Sequence, residues 1–100
     1  VSADIRFDSV PKLPVLDTYL AQQSIPGGTH RNWNSYGHKV APLPDTQRYV
    51  LADPQTSGGL LIAVAPDSTL EFERVAAEHG LPLHSFGELV DKRDQVIYVH

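Results

Sequence analysis

Residues Asp53-Pro54-Gln55-Thr56-Ser57-Gly58-Gly59 set a proline, two hydroxyl side chains and two adjacent glycines directly before the apolar run Leu60-Leu61-Ile62-Ala63-Val64. The run has a β-branched residue at its centre and is closed by Pro66, so it reads as a buried central strand. A loop with two glycines entering a strand lets the backbone take φ > 0 and approach another group closely. Consecutive N–H groups in such a turn form an anion nest, and Thr56 and Ser57 add hydroxyl donors. The alternative is a tight loop in which both hydroxyls bond only their own backbone. Short glycine-rich strings do not by themselves decide between the two.

One hundred residues make one domain with a single modest core. A hydrophobic fraction of 41% is that of a globular chain rather than a disordered one. Eight basic and twelve acidic residues give a net charge of −4 with no block of like charge. That argues against nucleic acid or an acidic membrane as the main partner. With no cysteine there is no disulfide, thiolate zinc site or cysteine nucleophile. No apolar stretch approaches the length of a membrane-spanning helix, and no signal peptide is read. The chain begins at Val1, which suggests a processed or cut chain, and a cytoplasmic location is the default expectation.

Ala3 to Val10 alternates, with Ile5 and Phe7 on one side and Arg6 and Asp8 on the other, as a half-buried strand does. Pro14 suits a first helical turn, and Leu13, Leu16, Tyr19 and Leu20 recur at helical spacing through Gln23. Ser24-Ile25-Pro26-Gly27-Gly28 is turn-rich, and Thr29 is placed to cap a short helix, His30 to Tyr36, with Gly37 as its left-handed stop. Two glycines before a helix N-terminus, with Arg31 in the first turn, make an anion site plausible; a plain loop-to-helix junction fits equally well. Lys39 to Pro42 reads as extended, and Asp45 to Leu51 as either a short helix or a strand. Ser68-Thr69-Leu70-Glu71 is a capping box opening a helix to His79, with Gly80 as its stop. Leu83 to Val90 and Gln95 to Val99 read as a strand pair around Asp91-Lys92-Arg93-Asp94. The fold class is α+β, a mixed β-sheet with packed helices.

His30, His38, His79, His84 and His100 fall at no metal-ligand spacing. Ser57 lacks the Gly-x-Ser-x-Gly elbow of a nucleophile, and no Gly-x-x-x-x-Gly-Lys-Ser/Thr phosphate loop exists. Asp53 is the one attractive carboxylate for a polyphosphate-bound magnesium, though bonding to the backbone of its own turn is the simpler role.

Leu51-Ala52-Asp53-Pro54-Gln55-Thr56-Ser57-Gly58-Gly59-Leu60-Leu61 resembles the signature near the C-terminus of the selenophosphate synthetases (selenide, water dikinases). Pro26-Gly27-Gly28-Thr29-His30-Arg31-Asn32 resembles that family's Gly-Gly-Thr-x-x-Asn segment, and the two stand in the expected order. The resemblance runs from about the first residue to about Gly87. It implies the later part of the C-terminal domain of a two-domain enzyme of the aminoimidazole ribonucleotide synthetase superfamily. The family's substrates are ATP, selenide and water, its products selenophosphate, AMP and phosphate. The resemblance further implies that ATP and Mg²⁺ are held mainly by an N-terminal half absent here, which also carries the reactive Cys or selenocysteine. That half is the implied partner, alongside a second copy in a homodimer. No catalytic residue, metal site or cofactor requirement is expected of this chain alone. Thr29, Arg31 and Asn32 from one loop, with Gln55, Thr56, Ser57, Gly58 and Gly59 from the other, are the expected phosphate or nucleotide contacts. A purely structural or dimerisation role, or membership of a superfamily relative with another substrate, are the alternatives.

Overall fold

The structure, a computed structural model, describes residues 1–22, 24–55 and 57–100. Its centre is a three-stranded mixed sheet in the order β2-β1-β3. β1 (Ser2–Ile5) runs antiparallel to β2 (Gly87–Val90), with Ser2 opposite Val90 and Ile5 opposite Gly87. It runs parallel to β3 (Ile97–Val99), with Ala3 opposite Ile97 and Ile5 opposite Val99. Beyond β3, a bridge from Val40 to Ile97 and the bond from Ala41 N–H to the Ile97 carbonyl (2.8 Å) continue the pairing. Four helices fill the interval between β1 and β2: α1 (Leu16–Ala21), α2 (Gly27–Tyr36), α3 (Asp45–Leu51) and α4 (Thr69–Glu78). The α+β class is as the sequence pattern implies.

The last two strands do not form a hairpin. β1 lies between them, and the turn that joins them is fastened to β1 by a side chain. Ser2 is 1% exposed; its hydroxyl donates to the Gln95 carbonyl (2.7 Å) and accepts from the Arg93 N–H (2.9 Å). Arg93 also donates to Asp4 (2.9 Å), which His100 Nε2 approaches at 3.1 Å. The His100 contact, aided by Arg93, holds the Asp4 carboxyl below its usual value.

The other differences from the sequence pattern are local. β1 stops at Ile5 because a 3₁₀ turn, Phe7–Ser9, carries the chain away before Pro11. α1 starts two residues past Pro14, and the expected end at Gln23 lies outside the described residues. Ser68 precedes α4 without capping it, since it belongs to the 3₁₀ turn Pro66–Ser68 and lacks the extended backbone a cap requires. Glu71 instead pairs with Arg74, which also reaches Glu78. Gly80 is the expected left-handed stop, with φ +78°, and the Leu81 N–H closes onto the Ala76 carbonyl (2.9 Å). Gly37 is not such a stop. Its φ is −58°, and it is glycine because the Trp33 ring lies where a Cβ would be.

The apolar run departs furthest from expectation. Residues 59–65 form no strand, and Leu60, Leu61 and Ile62 are 89%, 80% and 51% exposed. Among the described residues no hydrophobic side chain is fully buried. A buried strand needs a paired sheet neighbour on at least one side, and no described segment supplies one here. Among the described residues no helix is long and apolar enough to cross a membrane.

Candidate functional site

The two glycine-bearing stretches, well apart in sequence, meet in space. Asn32 Nδ2 donates to the Ala52 carbonyl at 2.9 Å. The Pro54 ring lies on the first turn of α2, so close that a Cβ on Gly28 would fall 2.7 Å from Pro54 Cγ. Only a glycine fits beneath that ring. α3 carries the second stretch into position: its last turn ends at Leu51, and Ala52 and Pro54 follow directly.

α3 is itself fixed to α2 by rings and one guanidinium. His30 meets the Tyr49 ring edge-on at 6.1 Å between centroids. Arg48 sits 5.6 Å from the Trp33 ring and 5.1 Å from the Tyr49 ring, and it pairs with Asp45 at 3.1 Å. The sequence pattern left Arg48, Tyr49, Ala52 and Pro54 unassigned. Their one signal was an arginine and a tyrosine just ahead of the glycine loop, matching an aromatic on α2.

The first turn of α2 differs from expectation in an instructive way. The helix begins at Gly27, and the residue before it is Pro26, with φ −60° and ψ 142°. Proline's fixed φ supplies the extended geometry of a cap and draws both glycines into the helix. Thr29 is therefore not the cap but the third helical residue. It is 1% exposed, its N–H reaches the Pro26 carbonyl (3.0 Å), and its hydroxyl has no partner among the described residues. Among the described residues the N–H groups of Gly27 and Gly28 have no backbone acceptor either, as is usual for the first turn of a helix.

Arg31 is exposed and folds back over this turn. Its Nη1 lies 3.8 Å from a Cβ placed on Gly27, and its Nη2 lies 3.6 Å from one placed on Gly28. No acidic residue stands in the first turn, and Arg31 has no ion pair among the described residues. A cation beside the positive end of a helix opposes the macrodipole, and an anion between them relieves the conflict.

In the second loop Gln55, Ser57, Gly58 and Gly59 are all exposed, and Thr56 lies outside the described residues. Gln55 curls over Gly58, its Oε1 being 2.8 Å from a Cβ placed there. Neither Gly58 nor Gly59 has positive φ, and nothing lies within 4 Å of a Cβ on Gly59. The left-handed backbone expected of this pair is absent, so these glycines do not shape an anion nest. The structure thus joins Arg31, Asn32, Gly28 and Pro54, and leaves Ser57 to Gly59 exposed, with no described contact to that junction.

Among the described residues no three His, Asp or Glu side chains converge as a metal site. Asp53 is exposed and makes no hydrogen bond with a described residue, so the expected bond within its own turn is not seen there. An open cleft of about 550 Å³ lies beside α2, lined by Leu20, Ala21, Ile25, His30 and Tyr49, and it includes none of the candidate contacts.

No protein-family model matches the chain. Curated proteins do. The match to a Pseudomonas putida protein is 52% identical over 99 residues, 99% of this chain. That relative is named selenide, water dikinase. The chain is similar throughout to one stretch of selenide, water dikinase. A Pseudomonas aeruginosa selenide, water dikinase is 50% identical over 99 residues, and one from Yersinia pseudotuberculosis 45% over 101. The resemblance carried by the two glycine motifs therefore extends along the whole chain. The chain spans about 29% of the length of these relatives.

Proposed function

We propose that this chain is the later part of the C-terminal domain of a cytoplasmic selenide, water dikinase. The whole enzyme converts ATP, selenide and water to selenophosphate, AMP and phosphate, and works as a homodimer. The preceding half of the same polypeptide holds most of the nucleotide and the reactive group. The stretch of Val1 to His100 closes over the phosphates with its two motif loops. The observation that carries the reading is Arg31. It is a guanidinium without an ion pair among the described residues, laid along a helix start whose first two N–H groups find no described backbone acceptor.

Phosphoryl transfer is mostly positioning and charge stabilisation, so a domain without a nucleophile still contributes. Arg31 neutralises phosphate charge through a forked pair of N–H groups. The N–H of Gly27, the Gln55 amide and the Ser57 hydroxyl donate beside it, with Thr56, Gly58 and Gly59 in the same loop. Asn32 acts as a bracket between the two loops, through its bond to Ala52. Thr29, on the same helical turn, has a buried hydroxyl with no described partner and is the further donor of this loop. Mg²⁺ is implied for the whole enzyme, and the described residues present no acidic set that fits it.

Arg31→Ala in the complete enzyme tests the reading. Removing a guanidinium that touches phosphate weakens ATP binding about tenfold, which is about 1.4 kcal/mol. Thermal stability stays unchanged, as for other exposed side chains. Unaltered ATP affinity and turnover would return Arg31 to the solvated surface.

A further inference from the structure

We propose that residues 59–65 are a strand that adds to a sheet edge formed by the rest of the polypeptide, outside this 100-residue stretch. Three observations carry this. The first is chemical: from Leu60 to Val64 every side chain is apolar, and Leu60, Leu61 and Ile62 are 89%, 80% and 51% exposed. The second is the backbone. None of the N–H or carbonyl groups of residues 59–64 bonds to a described backbone group. An apolar segment with unpaired backbone is a template for strand pairing. Proteins guard such edges with charges when they face water, yet no charged residue lies between Asp53 and Asp67. This segment is built to be covered.

The third observation is area, and it selects the occupant. A compact monomer of 11.0 kDa exposes about 5,600 Å². This chain exposes 7733 Å², about 2,100 Å² more. Its radius of gyration is 15.0 Å against the about 13 Å of a compact 100-residue domain. A standard interface between two protein molecules covers about 800 Å² on each. A standard-sized contact with a second copy therefore covers about two-fifths of the excess. About seven-tenths of the relatives' length lies outside the matched stretch, which is ample to supply both a sheet edge and the covering layer.

The consequence reaches the site. The Gln55–Gly59 loop is anchored at its start, where Pro54 sits on Gly28, and leads directly into the free run. Pairing of residues 59–65 fixes its other end, so in the complete polypeptide the loop is held on both sides. None of this rests on what the loop binds.

Amide hydrogen exchange in the complete, unliganded polypeptide tests the proposal. Residues 60–64 are expected to exchange at least a hundredfold more slowly than an unstructured peptide. That protection is expected to persist unchanged through a hundredfold dilution across any dimer dissociation. Exchange at the unstructured rate would overturn the strand assignment. Protection that vanishes on dilution would overturn the occupant, because a second copy would then be the cover.

Discussion

Adjacent glycines at the start of α2 have opposite reasons for being there, and substitution separates them. Gly28 lies under the Pro54 ring, so Gly28→Ala forces a rigid neighbour to move. The expected cost is about 1–3 kcal/mol, the usual range for overpacking. Gly27 has only the tip of Arg31 within 4 Å, at 3.8 Å, so alanine fits there at ordinary contact distance. Alanine also favours the helix by up to about 1 kcal/mol. Urea unfolding of the two variants therefore moves the midpoint in opposite directions; equal shifts would show that the ring contact is not what requires glycine. Asn32→Ala leaves the Ala52 carbonyl without its donor and is expected to cost about 1 kcal/mol in the same measurement. Both motifs stood out in the sequence because glycine pairs do. What one glycine touches does not show in its neighbours, so the Pro54 contact was invisible there.

Among the elements, the end of the sheet is where acid acts. The bond with His100, and then Arg93, depress the Asp4 pKa below its ordinary value of 3.8, so folding favours the carboxylate. That stabilisation is fully present above pH 3.8 and is lost as the pH falls through the depressed folded value. Asp4→Asn removes this part of the acid dependence. Its unfolding midpoint is expected to be lower than wild type at neutral pH and to converge on it as the pH falls through the depressed folded value. Parallel curves at all pH would exclude Asp4 as a contributor. α1, α2 and α4 were legible from periodicity and turn signals, α4 with Gly80 most plainly, whereas Asp45 to Leu51 read as helix or strand alike. The strand pairing was not. Alternation identifies strands at both ends of the chain, but nothing local tells Leu83 to Val90 that its neighbour is β1. Ser2, whose buried hydroxyl fastens the turn between β2 and β3 to β1, is a residue type that sequence reading leaves on the surface.

For the molecule as a whole, the chain expressed alone should behave as an incomplete surface. Leu60, Leu61 and Ile62 face water together, and an exposed apolar run of this kind is unusual on a stable monomer. Light scattering of the 100-residue chain across a dilution series is expected to show self-association; a monodisperse monomer at high concentration would contradict it. The same preparation should release no AMP from ATP, with or without selenide. Turnover by the isolated chain would place the chemistry here after all. The apolar run was the plainest strand in the sequence. It is unpaired here because strandhood is a property of two segments, and a pattern in one does not supply the other.

The position of β1 between β2 and β3 also sets an order of events. Its partners lie some ninety residues downstream, and every helix intervenes. At synthesis rates of about 5–20 residues per second, β1 waits roughly 5–20 s on the ribosome before β2 and β3 exist. Helices that need only local contacts can form in that interval, but the sheet cannot. Closing so long a loop makes the sheet the slow step, and during the delay the nascent segment is open to chaperones and to misplaced strands.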